Sequence, residues 1–515
     1  MLNVLLKALE DPENYPHPVD APIRVIETQI SWLFLTGEYA YKLKKPVNFG
    51  FLDFTTLKQR QYYCEEELRL NQRLAPDIYD TLIGFTGSPE KPFLQEASQL
   101  TDGQAFEYAI RMNQFNPELR LDLILNRDRF EPAWIDMLSD QVAHFHNRIP
   151  RVAQDSPWGS TETLWSLVSD NYRDINKELL EPADVQLLQQ LSQRAAQQFR
   201  KLMPRLERRK LDGHIRECHG DLHLGNITLY HGQLRLFDCI EFNLQFRWID
   251  TISDLAFLLM DLEAKGQYRW ASRCLNNYLE ITGDYEGVTI LNFYKAFRSM
   301  VRAKVALLGE YPDPLACRRY LQLTQSYTHQ SQPTLYLMHG VSGSGKSYLS
   351  SQLMERTDCI RLRSDVERKR LYRELSRRGE RLELYGQEMN ARTFQHLLNL
   401  TDALIDSGYS VIVDATFIRK RTRQSFIKLA EKRNTPVRIL RCECEQKLIE
   451  ARLKRRKEQG DDPSDADVAV MHEQLKHFHK LSEDEKRITV TTNTDDDDAI
   501  NQLVSQLIAQ GLIDP

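Results

Sequence analysis

Two clusters of residues suited to phosphate chemistry lie well apart in this chain of 515 residues. The first is His219-Gly220-Asp221-Leu222-His223-Leu224-Gly225-Asn226, followed by Asp238 at the end of the alternating stretch Gln233-Leu234-Arg235-Leu236-Phe237. Moving a phosphoryl group needs a residue that orients or deprotonates the acceptor hydroxyl, plus oxygen ligands for the metal that neutralises the phosphates. Here Asp221 is placed to face the hydroxyl and Asn226 to hold a magnesium ion. Asp238 is the second carboxylate expected to reach that metal. The bland reading of the same string is a structural turn.

The second cluster is Gly340-Val341-Ser342-Gly343-Ser344-Gly345-Lys346-Ser347, directly after the apolar run Leu335-Tyr336-Leu337-Met338. A strand, a loop spaced Gly-x-x-x-x-Gly-Lys-Ser and then a helix together form a phosphate-binding loop. Its backbone N–H groups, Gly343 to Ser347, point at the β-phosphate from a helix N-terminus. Gly340, Gly343, Ser344, Gly345, Lys346 and Ser347 are therefore expected to bind nucleotide, and Ser347 also to ligate magnesium. Asp365 ends the next strand beside the expected γ-phosphate. The stretch 361–382 carries nine Lys or Arg against four Asp or Glu, which weakly favours an anionic acceptor. Arg452 and Arg456 share a helical face at i, i+4, where lid arginines would stabilise charge on the transferring group. The competing reading of that pair is a solvated basic helix.

These residues need two frameworks. Up to Gln325 the pattern is a small strand-rich lobe, with a hairpin around Gly37-Glu38 and a helix from Gln59 to Leu74, followed by a large helical lobe. Beyond Pro333 strands alternate with helices, at 335–338, 359–363, 410–414, 437–442 and 487–491, implying a parallel sheet covered on both faces. The polar run 325–333 marks the boundary. The expected domains are 1–328, with lobes at about 25–110 and 111–328, and 329–515. The acidic run Asp495 to Asp498 reads as the solvated start of a last helix. A length of 515 residues requires more than one core, and 41% hydrophobic with 27% charged residues suits globular folding. A net charge of −5 argues against a general nucleic-acid coat. Eight dispersed cysteines without a Cys-x-x-Cys pair read as reduced thiols. No apolar stretch reaches membrane-spanning length, and Glu10 and Asp11 come too early for a signal peptide. The expected location is cytoplasmic.

Residues 25 to 320 resemble the aminoglycoside phosphotransferase and choline kinase superfamily, within the protein-kinase-like fold. That resemblance implies Asp221 as catalytic base, Asn226 and Asp238 as metal ligands, His219 as organiser of the loop and Asp254 as its buttress. It also implies a lysine that grips ATP. Lys42 in Tyr39-Ala40-Tyr41-Lys42 is preferred, with Lys44 on the same face of the strand. Its partner is expected among Glu65-Glu66-Glu67, with Glu66 preferred. Glu241 and Asp261 to Glu263 are candidates for an acidic acceptor pocket. No Gly-x-Gly-x-x-Gly loop precedes the lysine.

Residues 333 to 515 resemble the zeta-toxin, polynucleotide-kinase and gluconate-kinase-like branch of P-loop kinases. The likeness implies Asp365 as catalytic base, Arg368 as an acceptor-anion contact, Arg452 and Arg456 as lid arginines, and Asp414 as the acid that holds the metal's water. The tail Asp462-Pro463-Ser464-Asp465-Ala466 also resembles that branch. As a whole the chain resembles a bacterial fusion family described as bifunctional aminoglycoside phosphotransferase/ATP-binding protein. The expected fold is thus an α+β protein-kinase-like bilobal domain followed by an α/β P-loop domain.

The expected function is ATP- and magnesium-dependent transfer of phosphate to hydroxyl acceptors at two sites. Acceptors are a small molecule at the first site and an anionic molecule, or a nucleic-acid 5′-hydroxyl, at the second. Alternatives are an end-repair kinase, a toxin-like kinase, and a regulatory switch in which one site only binds nucleotide. Oligomeric state is not legible.

Overall fold

The structure, a computed structural model, describes residues 1–125, 130–308, 311–328, 332–459, 464–495 and 498–511. Parts of the expected boundary run (329–331), of the acidic run (496–497) and the pair Asp462-Pro463 lie outside these residues. Two compact units emerge. One comprises 1–137, 145–173 and 199–261; the other comprises 138–144, 174–198 and 262–515.

In the first unit, β1 (Arg24–Glu27), β2 (Ser31–Leu35), β3 (Tyr39–Lys44), β4 (Tyr79–Ser88), β5 (Lys91–Glu96) and β6 (Glu107–Asn113) form an antiparallel sheet in the order β1-β2-β3-β6-β4-β5. Period-two alternation sorts their side chains onto two covered faces. Phe34, Tyr41, Leu43 and Phe85 pack with Leu5 and Leu9 at the helix Leu2–Ala8. Ala40, Leu82 and Ile110 pack with Cys64 of the helix Leu57–Asn71. That helix begins at a capping box between Thr56 and Gln59, two residues before the expected start. Lys42 and Lys44 share the Ala40 face, so both ammonium groups point toward this helix rather than to water. Two short antiparallel ribbons follow: β7 (Ile215–Glu217) with β10 (Trp248–Asp250), and β8 (Ile227–Tyr230) with β9 (Gln233–Leu236).

The second unit contains a five-stranded, fully parallel sheet. Its strands are β11 (Leu335–His339), β12 (Ile360–Arg363), β13 (Val411–Asp414), β14 (Val437–Glu443) and β15 (Thr489–Asn493), in the order β12-β13-β11-β14-β15. β15 begins two residues later than expected because a capping box at Ser482 and Glu485 starts the short helix Glu483–Arg487. One face packs Tyr336, Met338, Ile412 and Leu440 against Leu349 and Leu353 of the helix Lys346–Met354 and Leu503 and Leu507 of the helix Ala499–Ala509.

The edge strand β12 is closed by the helix Tyr268–Thr282, which lies outside the expected P-loop segment but in the same compact unit. The buried Asn276 amide makes both bonds that a neighbouring strand would make. Its Nδ2 donates to Cys359 O at 3.1 Å, and its Oδ1 accepts from Arg361 N at 2.7 Å. Ser272 adds bonds to the carbonyls of Met354 and Thr357. An exposed edge is a template for unwanted pairing, and a side-chain amide here removes it.

All eight cysteines are free thiols. Among the described residues, no helix is long and apolar enough to cross a membrane.

Candidate functional site

Lys42 projects from β3 into a buried charge cluster. Its Nζ donates to Glu67 Oε1 at 2.7 Å and to Asp238 Oδ1 at 2.6 Å. Lys44 donates to the other oxygen of Glu67 at 2.6 Å and also to Glu241. The helical partner is therefore Glu67, not Glu66. Arg60, Cys64, Glu67 and Asn71 form the buried stripe of the helix, and the next residue round, Glu66, instead pairs with Arg69 and Arg247. Burial opposes charge on Glu67, but the two ammonium groups outweigh it and hold the carboxyl down at about 2. For Glu241 burial wins, and its carboxyl is pushed up.

The loop after β7 carries Asp221 and Asn226. Asn226 Nδ2 donates to Asp221 O at 3.0 Å and to Asp221 Oδ2 at 2.9 Å. Gly220 has φ of 88°, and a Cβ there would stand 2.7 Å from Phe246 O, so only glycine fits. Asp254 fixes the loop from below, accepting the N–H groups of His219 at 3.0 Å and Gly220 at 2.9 Å. His219 accepts the Asp221 N–H on Nδ1 and donates from Nε2 to Phe237 O at 3.0 Å, tying the loop to the end of β9. Register does the rest: Ile227 pairs with Leu236 and Phe237 N donates to Asn226 O, which brings Asn226 and Asp238 to one end of the ribbon. Asp238 holds a left-handed backbone (φ 64°) with its N–H donated to Tyr79 Oη.

Of the residues expected to line an acidic acceptor pocket, Glu241, Asp261 and Glu263 each have an internal partner. Glu241 is consumed by Lys44, Asp261 accepts the Leu224 N–H at 2.9 Å, and Glu263 binds Lys295 at 2.9 Å. Glu67 and Glu241 are the functional candidates that sequence reasoning misplaced.

In the second unit, β11 feeds the loop 340–345 and the helix Lys346–Met354. Gly345 caps that helix with φ of 87°, and a Cβ would lie 2.8 Å from Thr494. Lys346 is buried and donates to Val341 O at 2.7 Å. Burial pulls its amine below the ordinary range, while Asp414 and Asp365 pull the other way. Ser347 follows at the second position of the helix. Asp414 ends β13 and accepts Ser350 Oγ at 3.2 Å. Asp365 sits in the first turn of the helix Ser364–Arg377. Gln474 and Thr494 were not foreseen. Gln474 brackets Ser342, accepting its N–H at 2.7 Å and donating to its Oγ at 3.0 Å, and Thr494 Oγ1 donates to Ser344 O at 3.0 Å.

Arg368 donates to Asn390 Oδ1 at 2.6 Å and faces the Tyr385 ring, while its Nε is buried without a partner. Arg452 and Arg456 lie four residues apart on the helix Gln446–Gln459, as expected, and bond different groups. Arg452 is held by Thr494 O at 2.8 Å, and Arg456 by Ala466 O. The basic stretch is largely spent internally. Arg361 and Arg363 bind Glu280, and Arg370 binds Glu367 and the Glu280 carbonyl.

His339, at the end of β11, donates from Nδ1 to Phe417 O at 3.1 Å. Burial and the Arg423 guanidinium hold its imidazole down from 6.5 to about 4. The unfolded chain therefore binds the extra proton between those values, and stability falls with pH. We expect His339→Asn, which keeps the donor, to remove about 1–2 kcal/mol of the loss between pH 7 and pH 5 in urea titrations.

Residues 335–481 match the model of an AAA domain. The chain is 28% identical over 468 residues to uncharacterised proteins of Mycobacterium tuberculosis and Mycobacterium bovis, covering 88% of this chain and 90% of each relative. Solved structures with similarity include a sugar kinase from Janibacter sp. HTCC2649, at 21% identity over 36% of this chain and 97% of that one, with a TM-score of 0.28. A gluconokinase from Sinorhizobium meliloti 1021 is 16% identical over 35% of this chain and 98% of that one, with a TM-score of 0.26.

Proposed function

We propose that this chain is an ATP- and magnesium-dependent phosphotransferase with two sites, one in an aminoglycoside-phosphotransferase-like unit and one in a P-loop kinase unit. The observation that carries the reading is the P-loop arrangement, in which buried Lys346 follows β11 while Asp414 ends the neighbouring parallel strand β13 and Asp365 lies just past the end of β12. Two carboxylates around a phosphate-seeking lysine suit one metal-holding and one hydroxyl-facing role.

At each site the bond between the γ-phosphorus and its bridging oxygen breaks, a bond to the acceptor oxygen forms, and ADP leaves. The acceptor's proton passes to Asp221 in the first site and to Asp365 in the second. Lys42, braced by Glu67, orients the nucleotide phosphates, and Lys346 does so in the P-loop. Asn226 with Asp238, and Ser347 with Asp414, are the groups suited to magnesium. When bound, the ion neutralises phosphate charge and polarises the phosphoryl oxygens. At the second site, the unpartnered buried Nε of Arg368 supports a small anionic acceptor. The internal pairing of Arg361, Arg363 and Arg370 leaves less of the basic run for a nucleic-acid strand.

The test is transfer of labelled γ-phosphate to fractionated bacterial metabolites and to 5′-hydroxyl oligonucleotides. Asp221→Ala should abolish one labelled product and Lys346→Ala another, each by about 100-fold or more. Label released only as free phosphate would overturn the reading in favour of an ATP-driven switch.

A further inference from the structure

The helix Tyr268–Thr282 does more than close the sheet edge, because its last turn carries Glu280. One carboxylate oxygen of Glu280 accepts from Arg361 Nε at 2.9 Å, and the other accepts from Arg363 Nη1 at 3.2 Å. Arg363 ends β12 directly in register with Asp414 on β13. Its Nε stands 3.9 Å from Asp414 Oδ2, too far for a hydrogen bond yet close enough for attraction in a poorly solvated site. The side chains of Glu280, Arg363 and Asp414 are only 14%, 16% and 4% exposed. The guanidinium thus bonds Glu280 and stands just short of a hydrogen bond to Asp414.

We propose that Glu280 is a positioning residue of the P-loop site. By restraining Arg363, it keeps the Asp414 carboxylate available to magnesium–nucleotide, so a helix preceding the P-loop segment sets that site's metal requirement. The inference rests on the reading of 340–347 as a nucleotide site. An arginine and a hydrated dication compete for the same carboxylate. Without the charge on Glu280, Arg363 closes the remaining gap onto Asp414, and the cation must displace it. Glutamine at position 280 still offers an oxygen to Arg361, which also donates to Ser351, so the strand edge keeps its support.

The test titrates magnesium against binding of a fluorescent ATP analogue to the full chain, taking as the signal only the binding that Lys346→Ala removes. Glu280→Gln should raise the magnesium midpoint roughly three- to tenfold while binding at saturating magnesium is retained. In an Arg363→Gln background the same change should shift nothing, a pattern that loss of packing alone would not give. An unchanged midpoint in Glu280→Gln, or an equal shift with and without Arg363, overturns the proposal. Should Glu280→Gln fail to fold, Arg363→Gln alone decides: a lowered midpoint supports the proposal and an unchanged one defeats it. A wild type with no Lys346-dependent nucleotide binding at any magnesium concentration sinks the site's reading, and this inference with it.

Discussion

Glu67→Ala is expected to destabilise the first unit by about 3–5 kcal/mol, lowering its melting transition by about 10 °C. Glu67 is fully buried and is the shared counter-ion of Lys42 and Lys44, themselves almost enclosed. Removing it leaves two ammonium groups in a low-dielectric site with only Asp238 and Glu241 to balance them. Glu66→Ala should cost about 1 kcal/mol, since Arg69 is half exposed and Arg247 keeps Glu217 as a partner. Equal losses for the two variants would defeat this assignment. The pH dependence has a definite sign. Because the Glu67 carboxyl is held down at about 2, its contribution is present above the ordinary carboxylate range and is lost as pH falls toward 2.

The second large effect is at Asn276. Asn276→Leu is nearly isosteric, yet it should cost about 2–4 kcal/mol because it orphans the Arg361 N–H and the Cys359 carbonyl together. Urea unfolding, combined with amide exchange at Arg361, checks both the size and the place of the loss. Exchange at Arg361 that stays slow in the variant would show that another group covers the edge.

The P-loop was legible because its spacing is local, and the His219–Asn226 string was legible as a loop that brings Asp221 and Asn226 together. Strand alternation in the second unit was legible for the same reason, as its central strands are short apolar runs buried in a parallel sheet. The choice among Glu65, Glu66 and Glu67 was harder, because neighbouring residues on a helix differ only by about 100° of rotation. A signal existed: Cys64 and Glu67 lie three apart on one face, and Cys64 is a natural core residue. The Glu241 pairing had no local signal, since the charge that consumes it comes from a strand 197 residues away. Gln474, Thr494 and Glu280 were equally silent. Their roles come from long-range packing, and their residue types are common on any surface.

The edge closure by Asn276 also bears on the order in which the chain is made. The amide must wait for Cys359, 83 residues further on, before it has a partner. At a synthesis rate of about 5–20 residues per second that interval is roughly 4–17 s, long compared with the formation of a helix. The helix Tyr268–Thr282 is therefore synthesised in full before the strand it covers leaves the ribosome, so its edge-capping amide is already made when β12 emerges.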